Sequence, residues 1–255
     1  MIYLDRHPNS EHVTIIIDAT GEVVDLRTLD FLLADYTIPD PNAKKHEVQV
    51  PGRDGTLDLT EALGGVYFEN RSIELVLKGN AVTSEHFQLK CSQLRNTLDG
   101  KVCRLTFSDD PSFYWIGRMA VDAERMGRHH MTITLHLDAY PYKLKIDGSY
   151  DPWRWDPFSF VDGEITHPED VVVNNQTKTF TLPTDPARQK VTLWLNSGSS
   201  GSVWVRTNRE DPSTQHLLRL GRNRFPEVRM MPDVETTLYI TGRGSVGVDY
   251  RRGSL

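Results

Sequence analysis

The chain has 255 residues, a formal net charge of −6 and 38% hydrophobic residues: room for one large or two ordinary domains, with an apolar share that suits a β-rich protein with much surface. The charge argues against a nucleic-acid-binding protein, which would carry a basic patch. The first five residues lack the basic start and apolar run of a signal peptide, and the longest apolar stretch, Val13 to Ile17, is far too short to span a bilayer, so synthesis in a cytoplasm without membrane insertion is expected.

Val13 to Ile17 reads as a buried strand and Gly21-Glu22 as a turn. Phe31 to Tyr36 either continues a sheet or makes a short helical turn, and Asp40-Pro41-Asn42 is a loop. Lys44 to Val50 reads as a strand that runs into two turns. Pro51-Gly52 has type II chemistry, with Pro setting the first central φ and Gly taking the positive φ at the second. Asp54-Gly55 makes a further reversal before Thr56 and Leu57. Tyr67 to Leu77 is predicted as a strand with Tyr67, Ile73, Leu75 and Leu77 on one parity. Glu69 and Arg71 interrupt that parity, so the face is not expected to be uniformly dry.

One helix is predicted. Phe87, Cys91, Leu94 and Leu98 make a single stripe, Thr83 or Ser84 caps it, and Gly100 is placed to end it in the left-handed conformation. Lys101 to Phe107, Ile116 to Val121 and His130 to Asp138 follow as strands. In the last, Met131, Ile133, Leu135 and Leu137 share a face. Cys91 on the apolar stripe reads as a buried thiol, and neither it nor Cys103 belongs to a metal or redox motif.

Composition changes after Tyr140. The segment from Asp147 to Phe158, with Trp153 and Trp155, reads as a linker packed on a domain surface. Beyond it, short strands recur at 171–173, 178–182, 190–195, 202–207, 216–220, 234–240 and 245–250 with no helical period, the pattern of a β-sandwich of about 100 residues. Asn196 to Gly201 reads as a flexible hairpin tip.

Val50-Pro51-Gly52-Arg53-Asp54-Gly55-Thr56-Leu57, Asn70-Arg71, the helix end from Asn96 to Lys101, Asp109 to Arg118, Asp138 to Lys143 and the closing stretch Gly242 to Gly253 together resemble the siphophage distal tail proteins, in order and spacing across nearly the whole chain. The resemblance implies a mostly β fold. Residues 1–145 would form an N-terminal β-sandwich ring domain with one α-helix and a β-hairpin arm, and residues 146–255 a C-terminal galectin-like β-sandwich. It implies a structural virion protein of the phage tail tip that is not an enzyme and needs no cofactor. Six copies would form a homohexameric ring around a channel that DNA crosses without specific binding. The ring would link the tail tube protein to the tail-tip protein and, in many members, carry receptor-binding or baseplate proteins. Residues 50–57 are the expected arm toward a neighbour.

Chemical sites are weaker. Gly242 to Gly247 has dinucleotide-binding spacing, but no helix follows to hold a pyrophosphate. His130 and His136 lie about 20 Å apart on an extended strand, too far for one metal ion, and His136 with Asp138 shows no third ligand. There is no Gly-x-Ser-x-Gly elbow, and Asp109-Asp110 before Pro111 is explained by turn formation. The alternative function is a carbohydrate-binding module recognising host cell-wall glycan, with Trp153 and Trp155 as candidate glycan or interdomain contacts. Trp194 and Trp204, in apolar strand contexts, are expected in the core.

Overall fold

A computed structural model describes residues 13–62, 64–80, 83–126, 130–151, 170–199 and 201–255, without the side chains of 124–126 and 130–131. The chain divides into two compact units, Met1–Pro141 and Tyr142–Leu255. It is mostly β, with one α-helix among the described residues.

In chain order the first unit holds β1 (Val13–Ile17), β2 (Val23–Val24), β3 (Phe31–Thr37), β4 (Glu47–Gln49), β5 (Thr56–Asp58), β6 (Arg71–Asn80), α1 (Ser84–Leu98), β7 (Val102–Phe107), β8 (Phe113–Met126) and β9 (His130–Ala139). All but β4 and β5 of these strands join in one antiparallel sheet, in the order β2-β1-β7-β8-β9-β6-β3. Alternation explains the sheet: Ile73, Leu75 and Leu77 of β6 and Ile133, Leu135 and Leu137 of β9 are fully buried, and the register sets each opposite one of the other strand. Val24 and Leu33, from strands at opposite ends of the path, belong to the same continuous core cluster.

Helix α1 closes this core with Phe87, Cys91, Leu94 and Leu98. The Thr83 hydroxyl caps it by accepting the His86 N–H at 3.1 Å. At its C-terminus Gly100 takes the positive φ expected of it, 71°, after an extended Asp99 (φ −62°, ψ 132°), and the Lys101 N–H returns to the Leu98 carbonyl at 3.1 Å. That is a type II turn one residue beyond the helix, and the Met119 carbonyl accepts the Gly100 N–H at 2.8 Å. The helix stops there because β8 takes over the backbone partners.

Five further readings are corrected or resolved. Phe31–Thr37 is strand. The strand expected over 67–77 begins at Arg71, because residues 67–69 are drawn off to pair with residues 42–44. The strand expected over 44–50 shrinks to β4. Arg71 does not wet its face: it is only 6% exposed. Cys91 and Cys103 are free, buried thiols, and burial pushes both thiols up.

The second unit holds β10 (Lys143–Lys145), β11 (Val171–Asn174), β12 (Lys178–Leu182), β13 (Lys190–Leu195), β14 (Val203–Arg206), β15 (His216–Leu218), β16 (Gly221–Arg229), β17 (Thr236–Thr241), β18 (Arg243–Asp249) and β19 (Gly253–Ser254). Two antiparallel sheets, β11-β18-β13-β16 and β12-β17-β14-β15, face each other across a core that includes Leu182, Leu193, Val205, Leu238, Ile240 and Val246. This is a β-sandwich. Strand β16 has no counterpart among the sequence readings. Its arginines and Pro226 hide the apolar alternation, and the fold accepts Pro there because β16 is an edge strand whose pairing with β13 slips between Lys190 and Thr192.

Trp194 and Trp204 are not in the core: each sits on the outward parity of its strand and is only half-buried. Leu193 and Leu195, and Val203 and Val205, fill the interior instead. The Asn196 tract starts on an anchored residue. The Asn196 Nδ2 donates to Asp170 at 2.6 Å, which also accepts from Tyr150 at 2.5 Å and from Ser245. Burial would push the Asp170 carboxyl up, but these donors together outweigh it and hold it below the usual range.

Candidate assembly surface

Strands β4 and β5 form a separate two-stranded ladder, with Glu47 opposite Asp58, Val48 opposite Leu57 and Gln49 opposite Thr56. The turn between them matches its sequence chemistry. Gly52 has φ 81° and Gly55 φ 75°, and the Arg53 N–H reaches the Val50 carbonyl at 3.1 Å, closing the type II turn over Pro51-Gly52. Glu47, Val48, Gln49 and all of residues 50–56 are exposed, and Leu57 is half-buried. The turns frame an open concavity lined by Gln49, Val50, Pro51, Arg53, Gly55 and Thr56.

The hairpin is an arm with a zipped base. The Lys44 N–H bonds the Tyr67 carbonyl and the Glu69 N–H the Asn42 carbonyl, each at 2.8 Å. Further out, the Leu59 N–H reaches the His46 carbonyl at 2.8 Å, and the Thr60 hydroxyl accepts the His46 N–H at 3.1 Å. Among the described residues nothing pairs with the outer edges of β4 and β5, while Val48, Val50, Leu59 and Tyr67 expose apolar surface. A two-stranded ribbon with free edges and exposed apolar side chains is marginal alone and suited to adding onto another sheet.

Arg71 fixes where this arm leaves the domain. Its Nε donates to the Pro141 carbonyl at 2.8 Å, its Nη1 to the Pro39 carbonyl at 3.2 Å, and its guanidinium lies 4.8 Å from the centroid of the Trp115 ring. Burial lowers its pKa and Asp40 opposes the shift. One cation thus ties the run-up to the arm, the end of β9 and the start of β8. The only signal in the sequence was an Arg on a buried parity.

Elsewhere the candidates disperse. Trp153 and Trp155 lie outside the described residues, as does His129. The His136 Nδ1 stands 3.5 Å from Glu74 across the β6–β9 pair, and among the described residues no group of three acidic, His or Cys side chains could hold a metal ion. Gly242 is the turn between β17 and β18, with φ 131°, and a side chain there would strike the Ser202 carbonyl. Among the described residues no helix is long and apolar enough to cross a membrane.

No protein-family model and no curated protein matches the sequence. Solved structures do. The crystal structure of the Dit protein of phage SPP1, described as a paradigm of hub adsorption apparatus in Gram-positive-infecting phages, is similar over 95% of this chain and 99% of that one, with 16% identity and a TM-score of 0.56. The chain has the fold of a phage distal tail protein. A chain of the phage p2 baseplate in its activated conformation, solved with strontium and with calcium, overlaps at 10% identity over 95% of this chain and 98% of the other, with a TM-score of 0.43, too loosely to carry weight.

Proposed function

We propose that this chain is a structural, non-enzymatic component of a phage tail tip, in which six copies close into a ring through the first unit. The observation that carries the reading is the arm: a built hairpin with an ordered base, free edges and exposed apolar residues, on a fold shared end to end with SPP1 Dit. A ring needs a heterologous contact between two different patches. The arm supplies one, and an outer strand of the neighbour's main sheet the other. Main-chain hydrogen bonds then give affinity, and Val48, Val50 and Leu59 give register.

The ring links the tail tube protein to the tail-tip protein and carries receptor-binding proteins, and DNA passes through its bore. Charge supports passage without retention. Asp and Glu outnumber Lys and Arg in the first unit, whereas in the second the basic residues are slightly ahead. An acidic ring domain does not gain the counterion release that holds DNA on basic surfaces.

Deleting residues 51–55 tests the reading. Wild-type protein is expected to give rings in negative-stain micrographs and a hexamer mass by light scattering, and the deletion is expected to give folded monomers. Hexamers that persist without the turn would defeat the arm's role, and a wild-type protein that stays monomeric beside its tail partners would defeat the ring.

A further inference from the structure

The outward face of the sheet β11-β18-β13-β16 carries a row of cations that ring formation does not use. Val191, Leu193 and Leu195 point into the core, so Lys190, Thr192 and Trp194 point out. The register sets Lys190 opposite Arg229, Thr192 opposite Arg224 and Trp194 opposite Arg222. On the other flank Thr192 faces Asp249 and Trp194 faces Gly247. Arg222 and Arg224 are exposed and two residues apart on one strand, which places them on the same side about 7 Å apart.

These arginines are presented rather than consumed. The Arg224 Nε donates to the Thr192 hydroxyl at 2.8 Å, which steadies the guanidinium. Among the described residues no ion pair engages Arg222, Arg224 or Arg229. Of the nearby acids, Glu227 stands 3.4 Å from His216 and Asp151 accepts the Gly148 N–H at 2.6 Å. Asp249 is the one acid that attracts Arg224, and it is shared with Arg251. Trp194 is half-buried, with Arg222 opposite it on one flank and Gly247 on the other, and the Tyr150 ring packs over that glycine.

We propose that this face binds a glycan bearing phosphodiester groups. The forks of Arg222 and Arg224 take successive phosphates, and Trp194 offers its ring to the carbon face of the sugar or polyol between them. The charge of the row specifies an anion, and its step matches phosphates joined by a short polyol. Single-stranded nucleic acid carries the same phosphates, but its binders present a run of stacking platforms along a basic groove, and here the cations form one short row. The site belongs to the second unit and does not depend on ring closure.

Titrating full-length protein with a glycerol-phosphate oligomer tests this, with oligogalacturonate, a neutral oligosaccharide and oligothymidylate as comparison probes. The phosphate oligomer is expected to bind most tightly, more weakly at high salt. The Arg222→Ala/Arg224→Ala double variant is expected to lose at least about tenfold in affinity at unchanged thermal midpoint, both side chains being exposed. Arg222→Lys/Arg224→Lys should retain part of the binding, because the charge stays and the fork is lost. No binding by wild-type protein, undiminished binding by the double alanine variant, or equal affinity for oligogalacturonate or oligothymidylate would overturn the proposal.

Discussion

Arg71, Lys90 and Asp185 are polar groups where alternation or burial promised apolar ones, and each is matched by partners that sequence spacing does not announce. The Asp185 carboxylate, fully buried, accepts the Ala187 N–H at 2.7 Å and the Gly253 N–H at 2.6 Å, pinning β19 to the loop before β13. Lys90 is buried on α1, and its Nζ reaches the Asp30 carboxylate at 2.8 Å. The hydrogen bond from Lys90, and then its charge, hold the Asp30 carboxyl below the usual range. A carboxyl depressed in the folded state contributes stability above its unfolded pKa, and that contribution fades as pH falls through the folded value. Because Asp30 is largely exposed, solvent screening limits it to about 1 kcal/mol. Asp30→Asn should therefore lower the thermal midpoint at neutral pH, and the gap from wild type should close below about pH 4. A gap that stays constant down to pH 2 would contradict the pairing.

At the scale of elements, turn chemistry was the most legible part. Pro51-Gly52 takes the conformation its residues dictate, since Pro fixes φ and only Gly accepts the positive φ that follows without strain. The strand at Lys178–Leu182 and the strand at Lys190–Leu195 were also legible, from alternation and β-branched residues. Strand β16 was not, because an edge strand buries only part of one face and tolerates arginines and a proline. The two Trp positions misled for a related reason: an apolar neighbourhood in sequence does not say which parity turns inward. Gly247 shows the opposite economy, a glycine whose role lies in a ring packed against it. A Cβ there would enter the Tyr150 ring. Gly247→Ala should cost about 1–3 kcal/mol, by displacing Tyr150 from Gly247 and from its hydrogen bond to Asp170. Tyr150→Phe, which keeps the ring and loses only the bond, should cost about 1 kcal/mol. Equal midpoints for wild type and Gly247→Ala in thermal denaturation would show that the ring does not rest there.

At the scale of the whole molecule, each unit has its own core, so a core lesson taught in one should not be felt in the other. Leu193 is fully buried in the second unit. Leu193→Ala should destabilise that unit by about 2–5 kcal/mol, and calorimetry should show its transition moving down while the first unit's transition stays in place. A single transition that shifts as one would mean the units unfold together. The sequence by itself determined the β character, the capped helix, the paired turns of the arm and, through the order of its motifs, the distal-tail resemblance. Those are local properties, set by φ preferences, side-chain period and spacing. Only the tertiary structure decided that Arg71 gathers three segments at the root of the arm, that the Trp side chains face outward, and that Arg222 and Arg224 stand beside Trp194. Those outcomes depend on which strands pair and in what register, and long-range register is written in no single stretch of chain.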